Sequence, residues 1–205
     1  MEDKSKYCTI YLVRHGETDW NKKDIIQGQI DTPLNKKGES QALKMASKLE
    51  KIHFDAIFSS DLARAKHTAE HIAAKRKLAV KTTKALRERY FGKFQGKKFP
   101  KEKNIRKMIE DLVKKSKIES EKPETDDLII SRLTGFLREV SLAYQGKTIL
   151  LATHAAPIRT LLIHLGFGNY DNLPNGCISN LAYVKIKSDG KNFIISSTSG
   201  IQKER

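Results

Sequence analysis

The sequence predicts an α/β protein, a three-layer sandwich in which helices flank a mostly parallel central sheet. Short β-branched apolar runs alternate with amphipathic helical stretches through all 205 residues. Two of those runs end abruptly in a histidine, at His15 and His154. No repeat or long Gly/Ser linker divides the chain, which reads as one domain over residues 1–205.

The first strand is predicted over residues 8–14, a β-branched run that stops at Gly16. Thr32-Pro33-Leu34-Asn35 is a turn whose Asn35 caps a helix over 36–51, with Ala42, Leu43, Met45, Ala46 and Leu49 approximating one face. A strand at 55–59 leads to Asp61, which is expected to cap a helix over 62–76 carrying Arg64 in its first turn. A short strand is placed at 79–83. In 99–118, Ile105, Met108, Ile109 and Leu112 recur at helical spacing under a lysine-rich face, until Pro123 closes the segment. A second amphipathic helix is predicted over 125–144, with Ile129, Leu133, Phe136, Leu137, Val140 and Tyr144 inward and Asp126 and Asp127 in its first turn. Strand 148–153 follows, then a helix over 156–165 that tolerates Pro157 in its first turn. Strands 180–187 and 192–198 flank Asp189-Gly190, a hairpin signal.

The formal net charge is +15, which excludes an acidic tail protein or calcium buffer and calls for anionic partners, unless it is merely a lysine-rich surface. No apolar run is long enough to span a membrane and residues 1–6 lack a signal-peptide core, so a cytoplasmic protein is expected. Cys8 and Cys177 offer no disulfide framework or metal spacing and read as structural thiols.

Ligands of open α/β sheets sit beyond the carboxyl ends of the strands. If the strands before His15 and His154 are central and parallel, both imidazoles stand on one sheet edge, near Arg14 and Arg64. Guanidinium forks, helix N-termini and loop amides together bind a phosphoryl group. A neutral imidazole facing it can attack phosphorus, with the arginines stabilising the transferring charge and no metal required. Glu88, between Arg87 and Arg89, reads either as a surface ion pair or as the carboxyl that protonates the leaving oxygen.

Arg14-His15-Gly16-Glu17-Thr18-Asp19-Trp20-Asn21 resembles the Arg-His-Gly signature of the histidine phosphatase superfamily, also called phosphoglycerate mutase-like. Gln27-Gly28, Thr32-Pro33-Leu34-Asn35, Ser59-Ser60-Asp61-Leu62-Ala63-Arg64-Ala65, the run Glu88 to Gly96 and Thr153-His154-Ala155 follow in the family's order, so the resemblance covers essentially the whole chain. It implies that His15 is the phosphorylated nucleophile, that Arg14, Arg64 and His154 bind the phosphoryl group, and that Glu88 is the proton donor. It also implies that Asn21, Gln27 and Gly28 line the pocket, with Ala155 beside it where the family usually has Gly. The mutase branch carries a longer insertion with a Trp-Arg-Arg segment and a Lys where this chain has Phe99; here the insertion is short and Trp20 is the only tryptophan. The expectation is therefore a phosphatase acting on phosphorylated small molecules without metal or cofactor, with a phosphoglycerate mutase as the alternative.

Three other readings compete. His67-Thr68-Ala69-Glu70-His71 matches the inverted zincin pattern H-x-x-E-H, against the plainer reading of a helix face with two histidines. His53 and His164 stand alone and read as structural. Segment 93–122, with a local net charge of +6, is a solvated face, a nucleic-acid surface or a helical, lid-like insertion that attracts acidic substrates. Nucleic acid is disfavoured because Phe94 and Phe99 are the segment's only aromatics. A phosphate- or RNA-binding module without turnover is the non-enzymatic alternative.

Overall fold

A computed structural model describes residues 6–99 and 105–204, with backbone alone at 105 and 106. Its elements in chain order are β1 (Cys8–Arg14), α1 (Asp19–Lys22), α2 (Lys36–Lys48), β2 (Ala56–Ser60), α3 (Ala63–Ala73), β3 (Val80–Thr83), α4 (Ile105–Lys115), α5 (Asp126–Ala143), β4 (Thr148–Thr153), α6 (Ala155–His164), β5 (Ile178–Ser188) and β6 (Phe193–Ile201).

The strands form one sheet in the order β3-β2-β4-β1-β5-β6. The first four are mutually parallel, and β5 and β6 join antiparallel, so the sheet is mixed with a parallel heart. β1 and β4 lie side by side, Arg14 opposite Thr153, so His15 and His154 leave the sheet at the same edge. Those central strands are buried almost throughout because apolar layers cover both faces. One layer sets Leu133, Leu137 and Val140 of α5 and Ile158 and Leu161 of α6 against Ile10, Leu12 and Leu151. The other sets Met45 of α2 and Ala69 and Ile72 of α3 against Val13, Ile57 and Leu150. Each fully buried aliphatic side chain of this kind contributes about 1.5–3 kcal/mol.

Three local expectations are corrected. Asp61 does not cap α3: its carboxylate takes the Arg87 guanidinium at 2.7 and 2.6 Å. Asp31 from a distant loop accepts the Ala63 N–H at 2.7 Å instead, because a bidentate guanidinium outcompetes a single amide for Asp61. The helix expected from residue 99 is not helical there, since the Phe99 N–H donates to Asp24 O at 2.6 Å and Lys98 bridges Ile25 in an antiparallel pairing. Within α4, Ile109 and Leu112 are buried as expected, while the Ile105 side chain lies outside the described residues. Finally, Thr18 and Asn21 build a capping box that folds residues 19–22 into an unexpected short helix.

Two further details bear on the site. Gln95 ties the 27–29 loop to the segment after Gly92 by accepting the Gln29 N–H at 2.7 Å. In β5 the register shifts between Ile178 and Tyr183, where Leu181 takes the left-handed φ of +56°. Such a bulge re-aims the side chains beside it.

Candidate active site

The edge where β1 and β4 end opens into a cavity of about 880 Å³, a size suited to a small organic ligand. Arg14, His15, Asn21, Gln27, Gly28, Arg64, Glu88 and Ala155 all line it. His154 does not: it is fully buried, with its ring 5.0 Å from that of His15, centroid to centroid.

His15 is held from several sides. Its backbone N–H donates to Thr153 O at 3.0 Å, and Asn180 Nδ2 donates to its carbonyl at 3.0 Å. In the ring, Nδ1 lies 2.7 Å from Gly16 O. A carbonyl only accepts, so Nδ1 carries the proton and the neutral ring keeps its lone pair on Nε2. Burial, followed by the Arg64 and Arg14 charges, holds this imidazole well below its usual acidity range. His154 is likewise kept neutral, by burial and then Arg64.

Arg64 reaches the site from the first turn of α3, its guanidinium donating to Gly28 O at 2.7 Å and Ile30 O at 3.0 Å. Gly28 presents that carbonyl from a left-handed φ of +55°. Burial lowers Arg64 to about 10, which leaves it charged at neutral pH. Arg14 donates to Ile178 O and is also lowered by burial. Among the described residues, the buried side-chain polar atoms without a partner are Arg14 Nε, Arg64 Nε and both ring nitrogens of His154. Buried guanidinium donors are normally satisfied, and Arg14 and Arg64 both line the cavity, which fits an oxyanion.

Gln27 Oε1 accepts from Thr18 Oγ1 at 3.0 Å and from Thr32 Oγ1, which leaves its NH₂ for a ligand. Asn21 Oδ1 is similarly taken by the Thr18 N–H at 3.1 Å. Glu88 is 9% exposed, and its Oε1 accepts from the N–H groups of Arg89 at 2.7 Å and Ala156 at 3.3 Å. Burial raises its pKa above the usual carboxyl value, against the pull of the Arg89 N–H, Arg64 and Arg14. Glu88 is thus buried against main-chain donors and does not stand on the surface.

Sequence reasoning missed Asn180, Arg89, Arg159 and Tyr170, all of which line the cavity. Asn180 had a faint signal in Gly200, whose φ of +73° sits across from Ala182 where β5 bulges. Arg89 is neutralised by an ion pair with Asp126. The H-x-x-E-H motif comes to nothing as a metal centre: His67 and Glu70 are exposed on α3, and no group of three metal-ligating residues stands together among the described residues.

The family model for the histidine phosphatase superfamily (branch 1) matches residues 10–199. The chain belongs to that superfamily and is an enzyme of its phosphatase and mutase class. It is 33% identical to PhoE, an uncharacterised phosphatase of Bacillus subtilis, over 92% of this chain and 95% of that protein. It is 32% identical to a broad-specificity phosphatase of Saccharomyces cerevisiae over 98% of this chain and 89% of that one. A solved phosphoglycerate mutase from Bacillus anthracis superposes with a TM-score of 0.77 at 27% identity, covering 98% of this chain and 96% of the other. Among the described residues no helix is long and apolar enough to cross a membrane.

Proposed function

We propose that the protein hydrolyses small phosphate monoesters through a phosphohistidine on His15, with Glu88 as proton donor and no metal. The observation that carries this reading is the His15 Nδ1–Gly16 O contact at 2.7 Å, which leaves Nε2 as the nucleophilic atom of a ring kept neutral by burial. In the first step the Nε2–P bond forms and the P–O bond to the leaving alcohol breaks. The Glu88 proton moves to the departing oxygen. Arg14, Arg64, Gln27, Asn21 and the α6 N-terminus at Ala155 hold the phosphoryl oxygens, and neutral His154 stands behind His15. In the second step water attacks phosphorus, Glu88 takes its proton, and the Nε2–P bond breaks to release inorganic phosphate.

Hydrolysis is favoured over transfer because the insertion after Glu88 is short, Trp20 is the only tryptophan and Phe99 stands where mutases carry a Lys. The likeness to a solved phosphoglycerate mutase keeps that second reading in the test. With a generic phosphomonoester and excess EDTA, turnover is expected to persist and to fall below about one part in 10³ in His15→Ala. Loss of activity in EDTA, or conversion of 3- to 2-phosphoglycerate as the main reaction, contradicts the proposal.

A further inference from the structure

Glu88 lies in a stretch without regular structure, and among the described residues its carboxyl is held by main-chain N–H groups, those of Arg89 and Ala156. The position of a carboxyl so attached depends on the path of its own backbone. That path is fixed from α5. Arg132 donates through Nη1 to Ala85 O at 2.7 Å and through Nη2 to Glu88 O at 3.4 Å. One guanidinium therefore grips the turn on both sides of residues 86 and 87. Glu124 takes the same guanidinium in a bidentate pair at 2.6 and 2.9 Å, which fixes its plane and offsets its charge. Glu124 also holds the far side of the turn, since its N–H donates to Tyr90 O at 2.7 Å and its Oε2 accepts the Tyr90 N–H at 3.3 Å. Gln29 and Thr153 complete the frame on Glu88 O at 3.2 Å and Leu86 O at 2.7 Å.

We propose that Arg132, oriented by Glu124, is the positioning residue for Glu88: it sets the backbone that carries the proton donor and touches no substrate. This rests on the reading of Glu88 as proton donor. A lysine keeps the charge at residue 132 but cannot bond two carbonyls and a carboxylate in one plane. A displacement of about 1 Å at a catalytic group costs on the order of 100-fold in rate.

A proton donor matters most for poor leaving groups, which separates positioning from mere stability. The test measures kcat/KM on p-nitrophenyl phosphate, whose anion leaves unprotonated, and on an alkyl phosphate, whose oxygen needs the proton. Glu88→Gln serves as reference. Arg132→Lys is expected to lose about 100-fold on the alkyl ester and no more than about threefold on the aryl ester. Glu124→Gln, which keeps the side-chain shape, is expected to show the same preference at smaller amplitude and serves if Arg132→Lys lowers Tm below the assay temperature. Equal losses on both esters, or no loss, in the folded variant overturns the proposal. Absence of discrimination in Glu88→Gln overturns the proton-donor reading and this proposal with it; discrimination there but not in the Arg132 and Glu124 variants overturns this proposal alone.

Discussion

Burial pushes His15 and Glu88 toward the same uncharged state from opposite directions. His15 becomes harder to protonate and Glu88 harder to ionise, so a neutral imidazole and a protonated carboxyl coexist over a shared pH range, as the proposed mechanism requires. With both forms required, kcat/KM falls as pH rises through the elevated Glu88 value. On an alkyl phosphate the residual activity of Glu88→Gln should lose that falling limb; its persistence would assign it to another group. The same shift carries a stability consequence. Because the folded value is raised, the stability tied to protonated Glu88 is fully present below the unfolded value of about 4.3 and is lost as pH rises through the folded one. Glu88→Gln should therefore leave Tm unchanged near pH 4 and raise it near pH 7, and a gain confined to acid would contradict the assignment. His15 and His154 were legible in the sequence because each ends an apolar strand, and the parallel pairing of those strands brings them to one edge. Asn180 was not, because a bulge without sequence punctuation of its own aims it at His15.

The loop after His15 packs backbone to backbone against the first turn of α2. A Cβ at Gly38 would stand 2.0 Å from Glu17 O, and one at Gly16 would stand 2.6 Å from Gly38 O. Neither contact can be relieved by rotating a side chain, since both partners are backbone. Gly38→Ala is expected to cost about 1–3 kcal/mol in urea unfolding and to lower kcat about tenfold or more by displacing residues 15–17. A stable variant of full activity would show that α2 does not position the loop. Amphipathic helices and buried strands were readable because periodicity reports which face is covered. Their ends were less so. Asp61 looked like a cap until Arg87 claimed it, and residue 99 looked helical although its N–H pairs with Asp24. Both outcomes depend on partners far away in sequence.

Across the whole molecule the net charge of +15 signalled anionic ligands without locating them. The fold draws Arg14 and Arg64 into the cavity, while three arginines around the Glu88 turn are paired: Arg87 with Asp61, Arg89 with Asp126 and Arg132 with Glu124. Lys97 and Lys98 stay exposed on a segment pinned beside the cavity, where Ile26 N–H donates to Lys97 O at 2.9 Å and Gly96 N–H to Ile26 O at 2.8 Å. Lys101, the third charge expected to attract acidic substrates, lies outside the described residues. Steering predicts that kcat/KM for an anionic ester falls as salt shortens the screening length below about 10 Å, and that Lys97→Gln/Lys98→Gln flattens that dependence. An unchanged salt slope would leave these lysines as a solvated face. The central claim, a covalent phosphoryl group on His15, is tested most directly by quenching a single turnover in base and locating the phosphoryl group by peptide mass spectrometry. One acid-labile phosphoryl group is expected on His15, forming and decaying at rates compatible with turnover and absent from His15→Ala. Full turnover with no phosphoenzyme, or a phosphoryl group on any other residue, would contradict it.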